Sequence, residues 1–372
     1  MSPIDDPTIP KGSTVLVTGV NGLVGSHVAD KFLEFGYVVC GTVRDTEKSG
    51  WLTTVFDNKY GKDRFELVSI PDMNTDGAFD EVVKGVSAVV HVATVNSFDP
   101  DPLNVIPPTI SGALNVIRAA YAEPSVKRFV LTSSSAAAFL PTPNVPGIVV
   151  TEDTWNDVAV KLAWGGLPLS VPEQAGITYA ASKTQSEQEV WKFHNENKEK
   201  RPDLVVNTIL PNLNFGQSLD IVNQGYPSTS GLIVHLWRGE NLNLLKFFPP
   251  QWFVDVQDVG LLHVAAAIHR DVKGERIFCF AETTNWDKVL GILRKQDPDR
   301  KFIDDFQSEE DLSEIKPRAR AEQLLRDLGR PGWTSLEGSI LANTEGLRGD
   351  GVAWTNLGQT QVLKIDQLAP AT

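Results

Sequence analysis

The chain has 372 residues, 41% hydrophobic and 22% charged, which is the composition of a globular protein able to bury a substantial core. Its net charge of -13 argues against nucleic-acid binding, because phosphate recognition needs clustered Lys and Arg. The acidic, proline-broken N-terminus is unlike a secretory signal, and no run of about 18 apolar residues predicts a membrane span. We therefore expect a cytoplasmic protein without nucleic-acid or membrane partners.

Short apolar runs rich in β-branched residues alternate with helical patterns along the first 210 residues. The runs predict strands at 14–18, 37–43, 65–69, 88–92, 129–132 and 204–210. Apolar residues at helical spacing predict helices at 23–35, near 105–122 and at roughly 178–198. This alternation predicts an α/β fold, a Rossmann-type doubly wound parallel sheet with its ligand crevice at the carboxyl ends of the strands.

Three long stretches interrupt the repeat, at 135–176, 212–252 and 283–343. Loops of this length inside a compact α/β domain are usually functional, so we assign them to a smaller substrate lobe that is discontinuous in sequence. The predicted division is a nucleotide-binding Rossmann domain at 12–212 with 253–280 returning to it, a lobe mainly at 213–343 and a tail at 344–372. The tail is rich in Gly, Thr and Gln, and we expect it to be poorly ordered.

A glycine-rich turn follows the first strand directly. Glycine there permits a tight turn, lets the backbone approach a pyrophosphate and allows close packing of helix on strand. The start of the next helix adds N–H donors and a partial positive charge. The turn therefore predicts a dinucleotide site formed by Gly19, Asn21, Gly22, Leu23, Val24 and Gly25.

Residues at the end of the second strand choose between NAD and NADP. An acidic residue there binds the ribose 2′-hydroxyl, whereas Arg accommodates a 2′-phosphate. Arg44 is the first charged residue after this strand, and Lys48 follows one turn later. Because a guanidinium matches phosphate with its planar donor fork, we predict NADPH/NADP as the cofactor. The alternative is that Arg44 is a solvated loop residue.

The same topology assigns residues after the third and fourth strands to the cofactor. Those after the third strand are placed to meet the adenine, and those after the fourth to lie beside the nicotinamide ribose. The assigned residues are Asp72, Met73, Val92, Ala93 and Thr94.

Histidine and cysteine give no metal signal. His91 lies inside the fourth strand, and a packed, hydrogen-bonded histidine is the favoured interpretation over a ligand. The six histidines and two cysteines show no metal-ligand spacing, so we expect no metal site. Cys40 and Cys279 lie in apolar runs and are predicted to be buried free thiols.

Tyr179 and Lys183 stand four residues apart on one face of the third predicted helix. Carbonyl reduction needs a hydride and a proton, and a neighbouring ammonium favours the phenolate and so lowers the pKa of a tyrosine that donates this proton. The same lysine can hydrogen-bond the nicotinamide ribose. The fifth strand ends in a serine cluster at 133–135, whose hydroxyls can polarise the substrate oxygen or merely form a turn.

Five motifs occur in order along the chain: Thr-Gly-Val-Asn-Gly-Leu-Val-Gly at 18–25, Ser-Val-Lys-Arg-Phe-Val-Leu-Thr-Ser-Ser at 125–134, Tyr-Ala-Ala-Ser-Lys at 179–183, Leu-Pro-Asn at 210–212 and Leu-Gly-Arg-Pro-Gly-Trp at 328–333. On these motifs, residues 12–340 resemble an extended short-chain dehydrogenase/reductase. The resemblance is to the dihydroflavonol reductase-like branch, and within it to the fungal NADPH-dependent aldehyde and ketone reductases.

The resemblance implies a catalytic set of Ser134, Tyr179 and Lys183, with Ser133 beside the nicotinamide and Pro211 against its carboxamide. The chain departs from the family pattern at Ser135, where plant members often carry Ala, so the choice among the three serines stays open. The extension beyond about residue 343 has no recognised counterpart.

The leading hypothesis is NADPH-dependent reduction of an aldehyde or ketone to the alcohol, with the hydride from nicotinamide and the proton from Tyr179. Aromatic residues in 212–252 suggest an apolar or bulky substrate, and the chain is expected to be a monomer or homodimer. Enzyme alternatives on the same scaffold are a sugar-nucleotide epimerase and a hydroxysteroid-type dehydrogenase. An NADP-sensing regulator is the alternative from another class, although such a sensor needs no proton donor.

Overall fold

The computed structural model describes residue 4 and residues 6–166 and 168–348. The strands within these residues are β1 (Thr14–Thr18), β2 (Val38–Val43), β3 (Phe65–Ser69), β4 (Ala88–His91), β5 (Arg128–Thr132), β6 (Val149–Val150), β7 (Val205–Pro211), β8 (Leu213–Phe215), β9 (Gln251–Asp255), β10 (Arg276–Cys279), β11 (Glu282–Thr284) and β12 (Glu314–Ile315).

The helices are α1 (Leu23–Glu34), α2 (Thr46–Ser49), α3 (Trp51–Tyr60), α4 (Pro102–Ala122), α5 (Asp157–Trp164), α6 (Val171–Asn197), α7 (Ile221–Gln224), α8 (Ser230–Arg238), α9 (Leu242–Leu245), α10 (Val256–Ile268), α11 (Trp286–Gln296), α12 (Arg318–Asp327) and α13 (Leu336–Thr344). Short 3-10 turns lie at Ser135–Ala137, Lys198–Lys200 and Glu345–Leu347.

Seven parallel strands form the main sheet in the order β10-β7-β5-β4-β1-β2-β3. Successive side chains of a strand face opposite sides, so Val15 and Val17 enter one apolar core and Leu16 the other. Helices α1, α3, α10 and α12 cover the first face, and α4 and α6 cover the second. The predicted doubly wound α/β fold is confirmed. The strand order reverses between β1 and β4, which opens a crevice at their carboxyl ends.

The lobe has its own small sheet, β11-β9-β8, and an apolar core formed with α8, α11 and α13. A second contact joins two separate stretches of sequence, since β6 from the 135–176 insertion pairs in parallel with β12. Helix α12 falls within the predicted lobe range of 213–343, yet Ala321, Leu324 and Leu325 pack into the core of the main sheet. We therefore propose to assign α12 to the Rossmann domain.

The predicted tail at 344–372 begins with packed residues. Thr344 ends α13, Leu347 is buried, and the Arg348 guanidinium pairs with Asp297 at 2.7 Å. Residues 349–372 lie outside the described residues. Both cysteines are buried free thiols, as predicted. None of the helices within the described residues has the length and apolar character needed to cross a membrane.

Candidate active site

The glycine turn lies at the carboxyl end of β1, in the crevice of the sheet. Gly19 adopts a positive φ of 69°, and a Cβ there would lie 3.1 Å from the Cα of Ala93. A Cβ at Gly25 would lie 2.1 Å from the Gly19 carbonyl oxygen. Helix α1 can therefore pack this closely on the turn only with glycine at position 25. No described side chain caps α1 at Gly22, and its first turn holds no acidic residue. Its N–H groups and partial positive charge therefore suit an anion.

The other residues of the turn differ in exposure. Asn21 is exposed, and its Nδ2 donates to the Ser49 hydroxyl over 3.4 Å. Leu23 is buried and Val24 packs against the core of the main sheet. Leu23 and Val24 would therefore face an anion through their backbone N–H groups.

Gln224 of α7 reaches across from the lobe to this turn. Its Nε2 donates to the carbonyl oxygens of Asn21 at 3.3 Å and Gly22 at 3.2 Å and to the Ser26 hydroxyl at 3.0 Å. Its Oε1 accepts the N–H of Leu219 at 3.0 Å. Gln224 thus ties the lobe to the predicted pyrophosphate site. Sequence reasoning missed Gln224, because it lies about 200 positions downstream of the turn and no motif surrounds it.

Arg44 is exposed directly after β2, where its carbonyl oxygen accepts a hydrogen bond from Ser69. The acidic neighbour Asp45 caps α2, because its carboxylate accepts the N–H of Lys48 at 3.1 Å and pairs with the Lys48 ammonium at 3.1 Å. These bonds to Lys48 hold the pKa of Asp45 below its usual value. Asp45 is therefore engaged within α2, which leaves Arg44 as the group suited to a ribose phosphate.

Asp72 and Met73 lie beyond β3, as predicted. Asp72 is exposed, and its carboxylate fixes the loop by accepting two hydrogen bonds from Asn74, at 2.9 and 3.0 Å. Met73 is half-buried against α4, where a Cβ at Gly112 would lie 2.9 Å from its Sδ. Nδ2 of Asn115, also on α4, donates to the Met73 carbonyl oxygen at 3.0 Å.

A buried threonine fixes the chain after β4. The Thr18 hydroxyl oxygen accepts the N–H groups of Val92 and Ala93, each at 3.0 Å, and is hydrogen-bonded to Nδ1 of His91 at 2.9 Å. Burial, with a smaller effect from Lys183, lowers the pKa of His91 to about 3. His91 is thus a neutral, packed histidine, as expected from the sequence.

Two buried polar atoms in the crevice fit a nicotinamide ligand. Neither Thr94 Oγ1 nor Asn212 Nδ2 has a hydrogen-bond partner among the described residues. Leaving such a group unsatisfied costs about 1–3 kcal/mol, so a ligand that pairs with it gains affinity. Thr94 follows β4, and Asn212 follows Pro211, the buried last residue of β7. These residues fit the ribose and carboxamide of a nicotinamide dinucleotide. Asn212 lay in a recognised motif but was not assigned.

The three residues of the predicted catalytic set meet beside this crevice. Tyr179 and Lys183 lie on α6, which begins at a capping box formed by Ser170 and Glu173. The Lys183 ammonium is buried and donates to the carbonyl oxygen of Thr132, the last residue of β5, at 2.8 Å. Ser134, two residues later, lies near the Tyr179 phenol and acts to lower its pKa.

The pKa values of this set are governed by burial. Burial raises the pKa of Tyr179, and the nearby Ser134 side chain opposes the rise. The sequence had predicted a pKa lowered by Lys183, and in the chain alone the net direction is upward because desolvation dominates. Burial lowers the pKa of Lys183 to about 8 against the opposing charge of Glu187.

The side chains of the three serines at 133–135 have different surroundings. Ser133 is buried, and its hydroxyl donates to the Glu187 carboxylate at 2.6 Å, while its N–H donates to Ile209. Its position beside the nicotinamide stays a prediction. Ser135 starts a 3-10 turn for which Ser134 is the N-cap residue, with the Ser134 hydroxyl accepting the N–H of Ala136 at 3.2 Å. Of the three, Ser134 is the one that affects the pKa of Tyr179.

Comparisons with known proteins identify the family. The model of the NAD dependent epimerase/dehydratase family matches residues 15–155. Aldehyde reductase 2 of Sporidiobolus salmonicolor is 44% identical over an alignment that covers 91% of this chain and 97% of that protein. The chain belongs to the NAD-dependent epimerase/dehydratase family, the extended short-chain dehydrogenase/reductases.

Two further proteins are similar to this chain over most of its length. Ketoreductase adrE of Penicillium rubens is 38% identical, with 91% of this chain and 98% of that protein covered. The crystal structure of Gre2 from Candida albicans in complex with NADPH superposes with a TM-score of 0.75 at 25% identity, covering 90% of this chain and 98% of that one. The predicted family and enzyme class, an oxidoreductase, are confirmed.

An aromatic ring covers Tyr179. Phe98 stacks on Tyr179 with ring centroids 5.1 Å apart and planes 16° apart. Its backbone has a φ of +50°, which is unusual for a bulky residue. The ring also packs against the apolar core of the lobe. Sequence reasoning missed Phe98, because it lies in an irregular loop after β4 with no periodic pattern.

Proposed function

We propose that the chain is an NADPH-dependent reductase that converts an aldehyde or ketone into the corresponding alcohol. The observation that carries this proposal is the placement of Ser134 near the Tyr179 phenol, where it lowers the pKa of Tyr179 against burial, with the buried ammonium of Lys183 one turn further along α6. A hydroxyl that binds an oxygen, a phenol that gives up a proton and a fixed cation are the groups that carbonyl reduction requires of a protein.

The cofactor residues follow from the crevice. The uncapped start of α1 suits the pyrophosphate, Arg44 the 2′-phosphate, and Thr94 and Asn212 the nicotinamide half. When bound, NADPH supplies the hydride. The names of two relatives, an aldehyde reductase and a Gre2 solved in complex with NADPH, support the same cofactor and reaction.

The protein residues then act on the carbonyl oxygen. Ser134 donates a hydrogen bond to this oxygen and so stabilises the charge that develops as hydride arrives. Tyr179 holds its proton at neutral pH, because burial raises its pKa, and delivers it to the forming alkoxide. Lys183 uses one N–H on Thr132 and has two left, for the ribose and for the phenolate that forms.

An apolar substrate is favoured by the surroundings of Tyr179. Of the aromatic and apolar residues in 212–252, Phe215, Tyr226 and Leu236 are buried in the lobe, so they are core residues. The ring of Phe98 carries the argument instead, since it covers Tyr179 and packs toward the lobe. We propose that the carbonyl substrate is apolar or bulky and lies between the lobe and this ring.

Epimerase chemistry on the same scaffold is the second candidate, because a relative named NAD-dependent epimerase/dehydratase terH is 36% identical over 91% of this chain. The exposed Arg44 and the engaged Asp45 favour the reductase, since they suit NADPH rather than NAD. An epimerase retains its NAD and consumes no added NADPH.

A panel of aldehydes, ketoesters and diketones, assayed by loss of NADPH absorbance, tests the proposal. We expect turnover with apolar members of the panel and slower turnover with NADH. Tyr179→Phe is the matched control, since it removes one hydroxyl and keeps the ring that stacks on Phe98. No NADPH consumption with any member, together with copurified NAD, would overturn the reductase and favour the epimerase.

A further inference from the structure

A fully buried carboxylate lies on the catalytic helix and takes no part in the reaction described above. Glu187 follows Lys183 by one turn of α6, and its side chain has 0% relative exposure. It accepts hydrogen bonds from Ser133 Oγ at 2.6 Å, Thr208 Oγ1 at 2.8 Å and Trp191 Nε1 at 3.3 Å. An ionised carboxylate is buried at a penalty of several kcal/mol unless it is paired, so this site needs a cation.

Arg276, the first residue of β10, is that cation. Its Nε donates to Glu187 Oε1 at 2.8 Å. The same guanidinium donates to the carbonyl oxygens of Glu152 at 2.6 Å and Thr154 at 2.8 Å, and it stacks over Trp155 with 3.7 Å from its Cζ to the ring centroid. Arg276 therefore fixes Glu187 and also connects the catalytic helix with the insertion at 135–176.

Glu187 acts on two parts of the site. Through Ser133 it holds the start of the turn after β5, which has Ser134 as its N-cap residue. Through space its negative charge opposes the effect of burial on Lys183, whose pKa is lowered to about 8. A neutral lysine would lose the charge that stabilises the phenolate.

The other titratable groups facing Lys183 do not share this role. His91 from β4 has a pKa lowered to about 3 by burial, and His263 from α10, bonded to Thr132 at 2.7 Å, has a pKa lowered to about 4 by burial. Both are neutral near pH 7. Tyr179 holds its proton there as well, because burial raises its pKa.

We propose that Glu187, clamped by Arg276, is a positioning residue for reduction, which sets the turn carrying Ser134 and supplies the counter-charge for Lys183. The proposal rests on the proposed function, because it assigns Glu187 a role in that same site. A purely structural ion pair is the competing explanation, since buried pairs can often be replaced by apolar residues without loss of stability.

Glu187→Gln tests the charge while keeping the size and an acceptor oxygen. NADPH affinity, measured by fluorescence titration between about pH 6 and about pH 9, is the readout, because it does not depend on turnover. We expect the alkaline loss of affinity to move down by about one pH unit, and Glu187→Asp to restore part of the shift. An unchanged pH profile in folded Glu187→Gln overturns the proposal.

Ser133→Ala tests whether Glu187 positions the turn that carries Ser134. It removes one hydroxyl and leaves the pair of Glu187 and Arg276 intact, so it is the decisive variant in case Glu187→Gln does not fold. With the best carbonyl from the panel, we expect kcat to fall by roughly tenfold, the value of one hydrogen bond, while the pH at which NADPH affinity is lost stays that of the wild type. Wild-type kcat in Ser133→Ala overturns the proposal. If the wild-type chain reduces no carbonyl, the proposed function has failed, and the pH profile of NADPH binding still tests Glu187.

Discussion

Arg44→Ala tests the origin of the cofactor preference. Arg44 is exposed after β2, and its acidic neighbour Asp45 is engaged with Lys48, so the guanidinium is the group available to a 2′-phosphate. A hydrogen bond to a charged group contributes about 1.5–3 kcal/mol, and each 1.4 kcal/mol is about tenfold in affinity. We therefore expect the Kd for NADPH to rise roughly tenfold to a hundredfold, and the Kd for NADH to change by less than about threefold.

Fluorescence titration of both cofactors at low ionic strength measures this difference, because salt screens exposed charges within about 10 Å at 0.1 M. Lys84→Ala is the matched control, since it removes an exposed cation that precedes β4, at the edge of the sheet away from the crevice. Lys48→Ala should cause a smaller loss than Arg44→Ala, because the Lys48 ammonium already pairs with Asp45. Equal loss of NADPH and NADH in Arg44→Ala would show that Arg44 does not bind the phosphate.

Three further predictions concern packing and pH. Gly25→Ala should abolish tight cofactor binding and lower the Tm, since its Cβ would lie 2.1 Å from the Gly19 carbonyl oxygen. Such overpacking costs about 1–3 kcal/mol of stability, and an unchanged Tm in a thermal scan contradicts this prediction. NADPH affinity should weaken above pH 8, because the pKa of Lys183 is lowered to about 8, and a pH-independent Kd contradicts that role. Burial raises the pKa of Asp258 to about 6, so the folded state keeps this proton longer than the unfolded state, and ionisation costs stability as the pH rises through about 6. The free energy of unfolding of Asp258→Asn, minus that of the wild type, should therefore be more positive at pH 7 than at pH 4 in denaturant unfolding. An equal difference at both pH values contradicts the assignment.

The sequence predicts the main sheet well because its inner strands are buried on both faces. The run at residues 14–18 is apolar and β-branched, and the structure ends this strand where the pattern does. Helix α6 begins at 171, seven residues before its predicted start. The prediction missed this turn because its capping box contains a proline, and the segment was therefore assigned to a loop. Strand β10 is only four residues long and begins with a charged residue, so the short apolar run around Cys279 was not assigned as a strand.

The site is predictable only where a local motif carries it. Parallel topology brings the glycine turn, the serine-ended strand and Tyr179 to one edge of the sheet, so order along the chain was enough. Phe98, Gln224 and Glu187 act through contacts with residues far away in sequence, and nothing in their local sequence marks those partners. Likewise the upward pKa of Tyr179 depends on burial, which spacing along a helix does not reveal.

Turnover by Tyr179→Phe, with NADPH affinity measured in parallel, tests the central claim most directly. The phenol is the proton donor in the proposed reaction, and the phenylalanine ring can keep the stack on Phe98. General acid catalysis contributes roughly a hundredfold to ten-thousandfold, so we predict that reduction is nearly abolished while the Kd for NADPH stays within about threefold. Turnover close to that of the wild type, at unchanged NADPH affinity, would contradict the account.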